Sequence, residues 1–338
     1  MRIPDFRDFD LKRKRVLLRT NYDVPLTSEG KIADETRIED SLPTIKYLLQ
    51  EKAKIIIISH LGRPKGKKIP NLSLKPIVKI LKNFLPEAEV KFQVSLGEFK
   101  IEDGEIFLLE NLRFNPGEEE NSFEFAKSLS LLGDFYINDA FACSHRRHAS
   151  IVGLPSFLPA AGGFDLLREV KILSQVLEKP KRPVVVILGG VKEDKLEAIS
   201  GLLSWVDKIL IGGRLVNYPK AKIFANHSLK LAILKKSGKD IDLSSVEEFV
   251  KEIKAAGTII WNGPLGKYEE KEWEKGTKIF AQAVCQSSAF KIIGGGDTEA
   301  ALTKFSLIDK IDYVSSGGGA MLEFLAKGDL PGLAALRS

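Results

Sequence analysis

Short apolar runs recur along this chain, and each run ends in a polar or glycine-rich loop. In the first half these loops carry arginine, histidine and amide side chains, whereas in the second half they are mostly glycine clusters. Longer stretches with the apolar period of helices separate the runs. This alternation predicts an α/β fold on parallel sheets, in which ligands bind beyond the carboxyl ends of the strands. We therefore expect two facing anion sites, one from each half.

Ten of these runs are predicted to be strands. They lie at residues 16–18, 55–58, 90–92, 107–109 and 135–137 in the first half, and at 184–188, 209–211, 259–261, 292–293 and 313–314 in the second. Helical periodicity predicts helices at 38–51, 74–84, 123–132, 166–177, 246–256, 272–283 and 298–305. The helix at 166–177 runs into Pro180 and Pro183, so we expect it to join two lobes.

The composition is that of a globular protein. With 338 residues, 44% of them hydrophobic, the chain is expected to form roughly two domains. No run approaches the length of a membrane span, the first residues lack a secretory signal, and only Cys143 and Cys285 are present, so we expect a cytoplasmic protein without disulfides. The net charge of +6 favours anionic partners. Basic patches interleaved with aromatic residues are missing, which favours small phosphorylated molecules over nucleic acid.

Basic side chains follow the predicted strands of the first half. Arginine suits an anion site because its planar fork grips a carboxylate or phosphate through two hydrogen bonds. Glu110 is expected to hold this basic loop through a structural ion pair rather than to act as a general base. The candidates at strand ends, at a helix start and after the last run are Arg19, His60, Arg63, Arg113, Arg37 and Arg146.

A zinc site is the alternative interpretation of one part of this region. Cys143, His145 and His148 lie close together in the sequence, but a tetrahedral zinc site needs four ligands. Arg146 and Arg147 lie between the histidines, and their charge opposes a cation. We therefore expect the histidines to serve the anion site and not a metal.

The second half predicts a phosphate site made of backbone amides. The glycines at 294–296 follow a strand and open a helix, whose N-terminus attracts phosphate oxygens. Asp297 would repel phosphate unless a cation intervened, which makes Mg²⁺ the natural inference. The glycines at 317–319 form a second such turn, and Lys192 and Lys195 follow a third. No P-loop pattern and no dinucleotide-binding GxGxxG pattern is present, which disfavours those two enzyme classes.

Five segments together resemble the phosphoglycerate kinase family. They are SHLGRPKG at 59–66, LENLRF at 109–114, WNGP at 261–264, GGGDT at 294–298 and GGGA at 317–320. The resemblance implies a monomeric hinge enzyme of two Rossmann-like, three-layer lobes. Residues 1–165 would bind 3-phosphoglycerate or 1,3-bisphosphoglycerate, 166–179 would be the hinge helix with Glu169, and 180–320 would bind Mg²⁺ with ADP or ATP. Residues 321–338 would pack back on the first lobe.

The resemblance also implies roles for individual residues. Triose binding falls to Asn21, Asp23, Arg37, His60, Arg63, Arg113, His145 and Arg146. Nucleotide binding falls to Lys192, Gly212, Gly213, Glu269, Gly294, Gly295, Gly296, Asp297 and Thr298, with Asp297 as the metal ligand. Stabilisation of the transition state falls to Arg37, Lys195 and the amides of Gly317 and Gly318.

Three alternatives remain open at the level of sequence. Either Lys192 or Lys195 could contact the transferred phosphoryl group. The chain is short at about 213–245, where part of an adenosine pocket would lie, so ATP and GTP are not distinguished. A non-catalytic anion-binding protein on the same fold is the alternative to a kinase.

Overall fold

The structure is a computed structural model, and it describes residues 2–97, 100–224 and 228–337. The chain divides into two compact units, one formed by Met1–Lys171 with Leu330–Ser338 and the other by Ile172–Asp329. Each unit contains a six-stranded, entirely parallel sheet among the described residues. The predicted α/β class is therefore confirmed.

The sheet of the first unit has the strand order β3-β4-β2-β1-β5-β6. Its strands are β1 (Arg15–Thr20), β2 (Lys54–Ile58), β3 (Val90–Gln93), β4 (Ile106–Leu109), β5 (Phe135–Asp139) and β6 (Ala160–Gly162). All five predicted runs are strands, and β6 was not predicted. The order reverses between β1 and β5, and at such a switch point the loops diverge and leave a crevice for a ligand.

The sheet of the second unit has the order β12-β11-β10-β7-β8-β9, which is the Rossmann order. Its strands are β7 (Val184–Leu188), β8 (Lys208–Ile211), β9 (Leu229–Leu231), β10 (Thr258–Asn262), β11 (Phe290–Gly294) and β12 (Tyr313–Ser315). The five predicted runs are again strands, and β9 was not predicted. Here the switch point lies between β7 and β10.

The helices of the structure include six of the seven predicted ones, each within three residues of its predicted bounds. They are α1 (Thr36–Glu39), α2 (Leu42–Gln50), α3 (Ile77–Phe84), α4 (Pro116–Glu119), α5 (Phe123–Ser130), α6 (Phe164–Glu178), α7 (Ile199–Leu202), α8 (Pro219–Ile223), α9 (Leu243–Ala255), α10 (Lys275–Gln286), α11 (Gly296–Lys304), α12 (Gly318–Lys327) and α13 (Pro331–Ala335). The single helix predicted at 38–51 is wrong, because Pro43 starts a new helix in the first turn of α2. None of the described helices combines the length and the apolar character needed to cross a bilayer.

Helix α6 contains the boundary between the two units, which falls after Lys171. Its N-terminus is capped from β5, because Asp139 Oδ1 accepts hydrogen bonds from the amides of Asp165 (2.8 Å) and Leu166 (3.3 Å). The second unit continues to Asp329, so the expected start of the tail at residue 321 is too early. Helix α12 belongs to the second unit, and the chain returns to the first only from Leu330 onward.

Candidate functional site

The loops that follow β1, β2, β4 and β5 form the polar site of the first unit. Arg19 is the last residue but one of β1, and its side chain is fully buried and 3.8 Å from the buried carboxylate of Glu118. The expectation that every strand-end arginine faces a ligand is therefore wrong for Arg19, since a guanidinium without exposed surface cannot reach one. The other basic side chains of the unit stay candidates for anion binding.

Arg37 lies in α1, is half-buried, and donates a hydrogen bond to the carbonyl oxygen of Asp23. The Asp23 carboxylate accepts from the amide of Gly62 at 2.8 Å and keeps 41% of its side-chain surface exposed. Asn21 is buried, and its Nδ2 has no hydrogen-bond partner among the described residues. Residues 21, 23 and 37 thus present a buried amide donor, a carboxylate and a cation in one loop region.

His60 follows β2 and is almost completely buried. Its Nε2 lies 3.9 Å from Asp23 Oδ2 and 3.8 Å from Cys143 Sγ. Burial lowers the pKa of His60 well below its usual value, and the nearby guanidinium groups of Arg19 and Arg113 lower the pKa further. His60 is therefore a neutral imidazole among cations.

The loop after β4 holds Arg113 in place. Arg113 is buried, donates to the carbonyl oxygen of Gly62 at 2.7 Å, and lies 3.5 Å from Glu119. Asn111 caps the same turn and donates to the carbonyl oxygens of Leu61 and Leu72. No ion pair of Glu110 is found in the described residues, because its carboxylate instead accepts from backbone amides and a serine hydroxyl. The predicted structural role is thus filled by hydrogen bonds.

The remaining predicted triose residues are less enclosed. Arg63 and Arg146 are exposed, and His145 is half-buried. Burial lowers the pKa of His148 to about 3, and the neighbouring arginines act in the same direction. Within residues 2–97, 100–224 and 228–337, no group of three or more His, Cys, Asp or Glu side chains is placed to hold a metal.

In the second unit the turn that follows β7 contacts the turn that follows β10, and we call this close contact the crossing. Gly189 donates its amide to the carbonyl oxygen of Asn262 at 2.9 Å, and Gly190 donates to that of Pro264 at 2.7 Å. A Cβ atom on Gly189 or on Gly263 would overlap backbone atoms of the other turn. The two turns therefore need glycine for close approach, and Gly263 also has a φ of +100°.

Lys195 lies over this crossing. Its Nζ donates to the carbonyl oxygens of Gly189 (2.9 Å) and Asn262 (3.4 Å). Burial lowers the pKa of Lys195 to about 8, although Asp297 acts in the opposite direction. Lys192 is exposed. The two lysines thus differ, because Lys195 is held at the switch point and Lys192 is exposed.

Two helix N-termini meet beside the same crossing. Helix α11 starts after Gly295, whose φ is +93°, and α12 starts after Gly317. A Cβ atom on Gly318 would lie 2.6 Å from the Cα of Gly295 and 2.5 Å from the Nδ2 of Asn262. The first amides of both helices and the Asn262 amide are therefore concentrated in a small space that attracts anions.

The other predicted nucleotide residues divide into exposed and buried groups. Asp297 and Glu269 are exposed. Thr298 is fully buried, and its hydroxyl accepts from the amide of Gly263 (2.7 Å) and donates to the carbonyl oxygen of Gly294 (3.1 Å). Its side chain thus ties two turns together. Gly212 and Gly213 follow β8 in the same unit, and the amide of Gly212 donates to the carbonyl oxygen of Leu188.

Sequence reasoning missed three residues that shape these sites. Asn262 was part of a motif, but nothing in the sequence indicated that its amide lies between two helix N-termini. Glu118 and Ser150 were not considered, because both are far in sequence from their partner Arg19. Buried carboxylates such as Glu118 need a partner, and a glutamate in a short helix gives no sign of burial.

Comparison with known proteins agrees with the α/β fold of the two units. A family model described as phosphoglycerate kinase matches residues 6–222 and 218–328. The chain is 39% identical to the phosphoglycerate kinase of Pseudothermotoga lettingae over 97% of this chain and 96% of that protein. The solved phosphoglycerate kinase of Coxiella burnetii is 35% identical, with a TM-score of 0.83 and 99% of each chain covered. That of Pyrococcus horikoshii OT3 is 27% identical, with a TM-score of 0.84 over 99% of this chain and 98% of that one.

Proposed function

The chain belongs to the phosphoglycerate kinase family, and from this premise we propose that it transfers a phosphoryl group reversibly between 1,3-bisphosphoglycerate and ADP, with the carboxyl group of 3-phosphoglycerate as the acceptor in reverse. The observation that carries this proposal is the meeting of Lys195, Asn262 and two helix N-termini at one switch point. Such a constellation suits the phosphates of a nucleotide. No feature of the described residues favours the non-catalytic alternative.

The triose would be held in the first unit. Arg37, Arg63, Arg113 and Arg146 supply guanidinium groups for its phosphate and carboxylate. Asn21 and His60 supply neutral donors, while Asp23 supplies an acceptor for a hydroxyl group. His145 lies on the same loop as Arg146. The mixture of donors and one acceptor suits a hydroxy acid that carries anionic groups at both ends.

The nucleotide would be held in the second unit. The amides at Gly294, Gly295 and Gly296 would receive its phosphates, and Lys192 would follow them as a mobile point charge. Gly212, Gly213 and Glu269 would contact the nucleoside. Thr298 would act indirectly, by holding the turns at 263 and 294 together. The matched stretches of the family model overlap at 218–222, inside the short segment, and neither ATP nor GTP is assigned as the nucleotide.

Mg²⁺ fits the donors present at the start of α11. Asp297 offers one exposed carboxylate in the first turn, and a Cβ atom on Gly296 would meet no heavy atom within 4 Å. One carboxylate with substrate phosphates is the usual environment of Mg²⁺. When bound, the ion would neutralise phosphate charge. Asp297 would hold it, and Thr298 would fix the turn beneath Asp297.

Transfer itself needs no covalent intermediate, because in-line phosphoryl transfer depends on positioning and on neutralising charge at the equatorial oxygens. Arg37, Lys195 and the amides of Gly317 and Gly318 would supply that neutralisation. Lys195 is suited to this task because its ammonium group is largely buried, and a charge acts more strongly where water is excluded.

The test is steady-state turnover of 3-phosphoglycerate with ATP, coupled to the reductive consumption of the bisphosphate. We expect turnover that needs Mg²⁺ and that falls by about 100-fold or more in Arg37→Ala. Arg7→Ala is the matched control, since Arg7 pairs with Asp5 at the surface of the same unit. GTP in a parallel assay measures base selectivity, and sedimentation tests the expected monomer. Full activity in Arg37→Ala, or no wild-type turnover with either nucleotide, would refute the proposal.

A further inference from the structure

Arg19 lies beneath the triose site without an opening to it. Its Nε donates to Ser150 Oγ at 2.8 Å, its Nη1 donates to the carbonyl oxygen of Thr20, and its Nη2 lies 3.2 Å from His60 Nδ1. The whole side chain is buried. Arg19 can therefore influence a ligand only through the groups that it contacts, and His60 is the one that reaches the site.

The charge of Arg19 is balanced within this buried cluster. Glu118 is fully buried, and its carboxylate accepts from the amide (2.9 Å) and hydroxyl (2.6 Å) of Ser150. Glu118 Oε1 lies 3.8 Å from Arg19 Nη2 and also 3.8 Å from His148 Nδ1. A guanidinium held from three sides in this way has little freedom to turn away from His60.

The geometry determines which nitrogen of His60 carries the proton. A guanidinium has only donors and keeps its charge in proteins, so the nitrogen facing it must be an acceptor. We propose that Arg19 is a positioning residue that fixes His60 as the neutral Nε2–H tautomer, and so fixes a hydrogen-bond donor toward the triose. The proposal rests on the proposed function in one respect, namely that His60 contacts the triose.

The groups around His60 agree with this assignment. Arg19, Arg113, Arg37 and His148 all act against a positive charge on the ring, whereas Asp23 is the anion beside it. Nδ1 lies 3.2 Å from Arg19 Nη2, whereas Nε2 lies 3.9 Å from Asp23 Oδ2. Cys143 Sγ does not distinguish the two nitrogens, because it lies 3.9 Å from Nδ1 and 3.8 Å from Nε2. In the other tautomer, Nε2 would present a lone pair to an anionic ligand and repel it.

The direct test is nitrogen-15 NMR of the histidine rings in the full chain, without substrate, from pH 5.5 to 8. We expect the His60 signals, assigned with His60→Gln, to show a protonated Nε2 and a bare Nδ1 throughout. A protonated Nδ1, or an imidazolium within this range, would overturn the proposal. Because no substrate is present, this result does not depend on the proposed function.

Three variants separate positioning from stability. Glu118→Gln keeps the Arg19 donor but leaves its charge unbalanced, so we expect lower stability with the His60 tautomer unchanged. Arg19→Met/Glu118→Gln removes both charges and the donor, so we expect Nδ1–H to appear. The single variant Arg19→Lys keeps a donor and the charge, so it should keep the Nε2–H tautomer, in contrast to Arg19→Met/Glu118→Gln. If the fraction of the Nε2–H tautomer falls in step with the free energy of unfolding across the three variants, the role of Arg19 is merely structural.

Kinetics extend the same comparison to the ligand. Relative to Glu118→Gln, Arg19→Met/Glu118→Gln should raise KM for 3-phosphoglycerate by about tenfold or more, with a smaller change in kcat. An equal KM in the two variants, despite the altered tautomer, would overturn the link between His60 and the triose but not the kinase activity. Absence of turnover in the wild-type protein would instead refute the proposed function.

Discussion

Lys195→Met is expected to stabilise the second unit while abolishing turnover. Burial moves the pKa of Lys195 from 10.5 to about 8, which corresponds to about 3 kcal/mol against the folded state at pH 7. Methionine has a similar length and no charge. It loses the hydrogen bond to the carbonyl oxygen of Gly189, which costs about 1 kcal/mol. We therefore expect a net gain of about 2 kcal/mol in the free energy of unfolding at pH 7.

The stability difference between the wild type and Lys195→Met is also expected to depend on pH, and its direction follows from the lowered pKa of Lys195. Because the folded pKa of Lys195 lies below the unfolded value, the unfolded chain holds a proton that the folded protein has released between about pH 8 and 10.5. Wild-type stability therefore rises with pH in this window, relative to a variant without the lysine. Between pH 7 and 9.5 the free energy of unfolding of the wild type should rise by about 2 kcal/mol relative to that of Lys195→Met.

Urea unfolding followed by tryptophan fluorescence measures this effect in the relevant unit, because all three tryptophans of the chain, Trp205, Trp261 and Trp273, lie in the second unit. The control is Lys192→Met, an exposed neighbour whose change should stay within about 0.5 kcal/mol at both pH values. A Lys195→Met protein less stable than wild type at pH 7, or a difference independent of pH, would refute the reasoning.

Three further predictions concern residues described above. Glu118→Ala should lower the free energy of unfolding by about 3–5 kcal/mol by leaving a buried guanidinium unpaired, and an unchanged urea midpoint would contradict this. Gly263→Ala should lower the free energy of unfolding by more than about 3 kcal/mol, because it adds both backbone strain and atomic overlap. Its control, Gly238→Ala, has a φ of +67° but open space and should lower it by about 1 kcal/mol. Equal losses of the two variants in urea unfolding would be inconsistent with the close contact at the crossing. The kcat/KM for ADP should fall above about pH 8 as Lys195 deprotonates, and a flat profile to pH 9.5 would remove Lys195 from the transition state.

The strands were predictable because both faces of a parallel sheet are covered, so that its strands are continuous apolar runs. The two strands that were missed lack such a run. β6 consists of two alanines and a glycine, and β9 is a leucine, a lysine and a leucine. Both form the edge of their sheet, where pairing on one side is enough. Three-residue strands without an apolar run are not detected by periodicity, whereas β12, an edge strand of the same length, contains the apolar pair Tyr313 and Val314.

The sequence names the residue types of the candidate site, but it does not show which of these side chains are buried. Arg19 and Arg37 look alike in the sequence, yet one is buried on a carboxylate and the other is half-buried beside Asp23. The difference depends on Glu118, whose contact with Arg19 arises only from the tertiary fold. Likewise, the hydroxyl of Thr298 is used by two backbone groups, which no motif indicates.

The return of the chain to the first unit has a consequence for protein synthesis. Residues 172–329 are continuous, so the second unit can fold as soon as they leave the ribosome. Helix α13 packs on the turn at 149–153, and the amide of Gly332 donates to the carbonyl oxygen of Ser144 at 2.8 Å. This closing piece of the first unit follows the whole second unit in the sequence. The first unit is therefore expected to complete its fold only after the second unit has been synthesised.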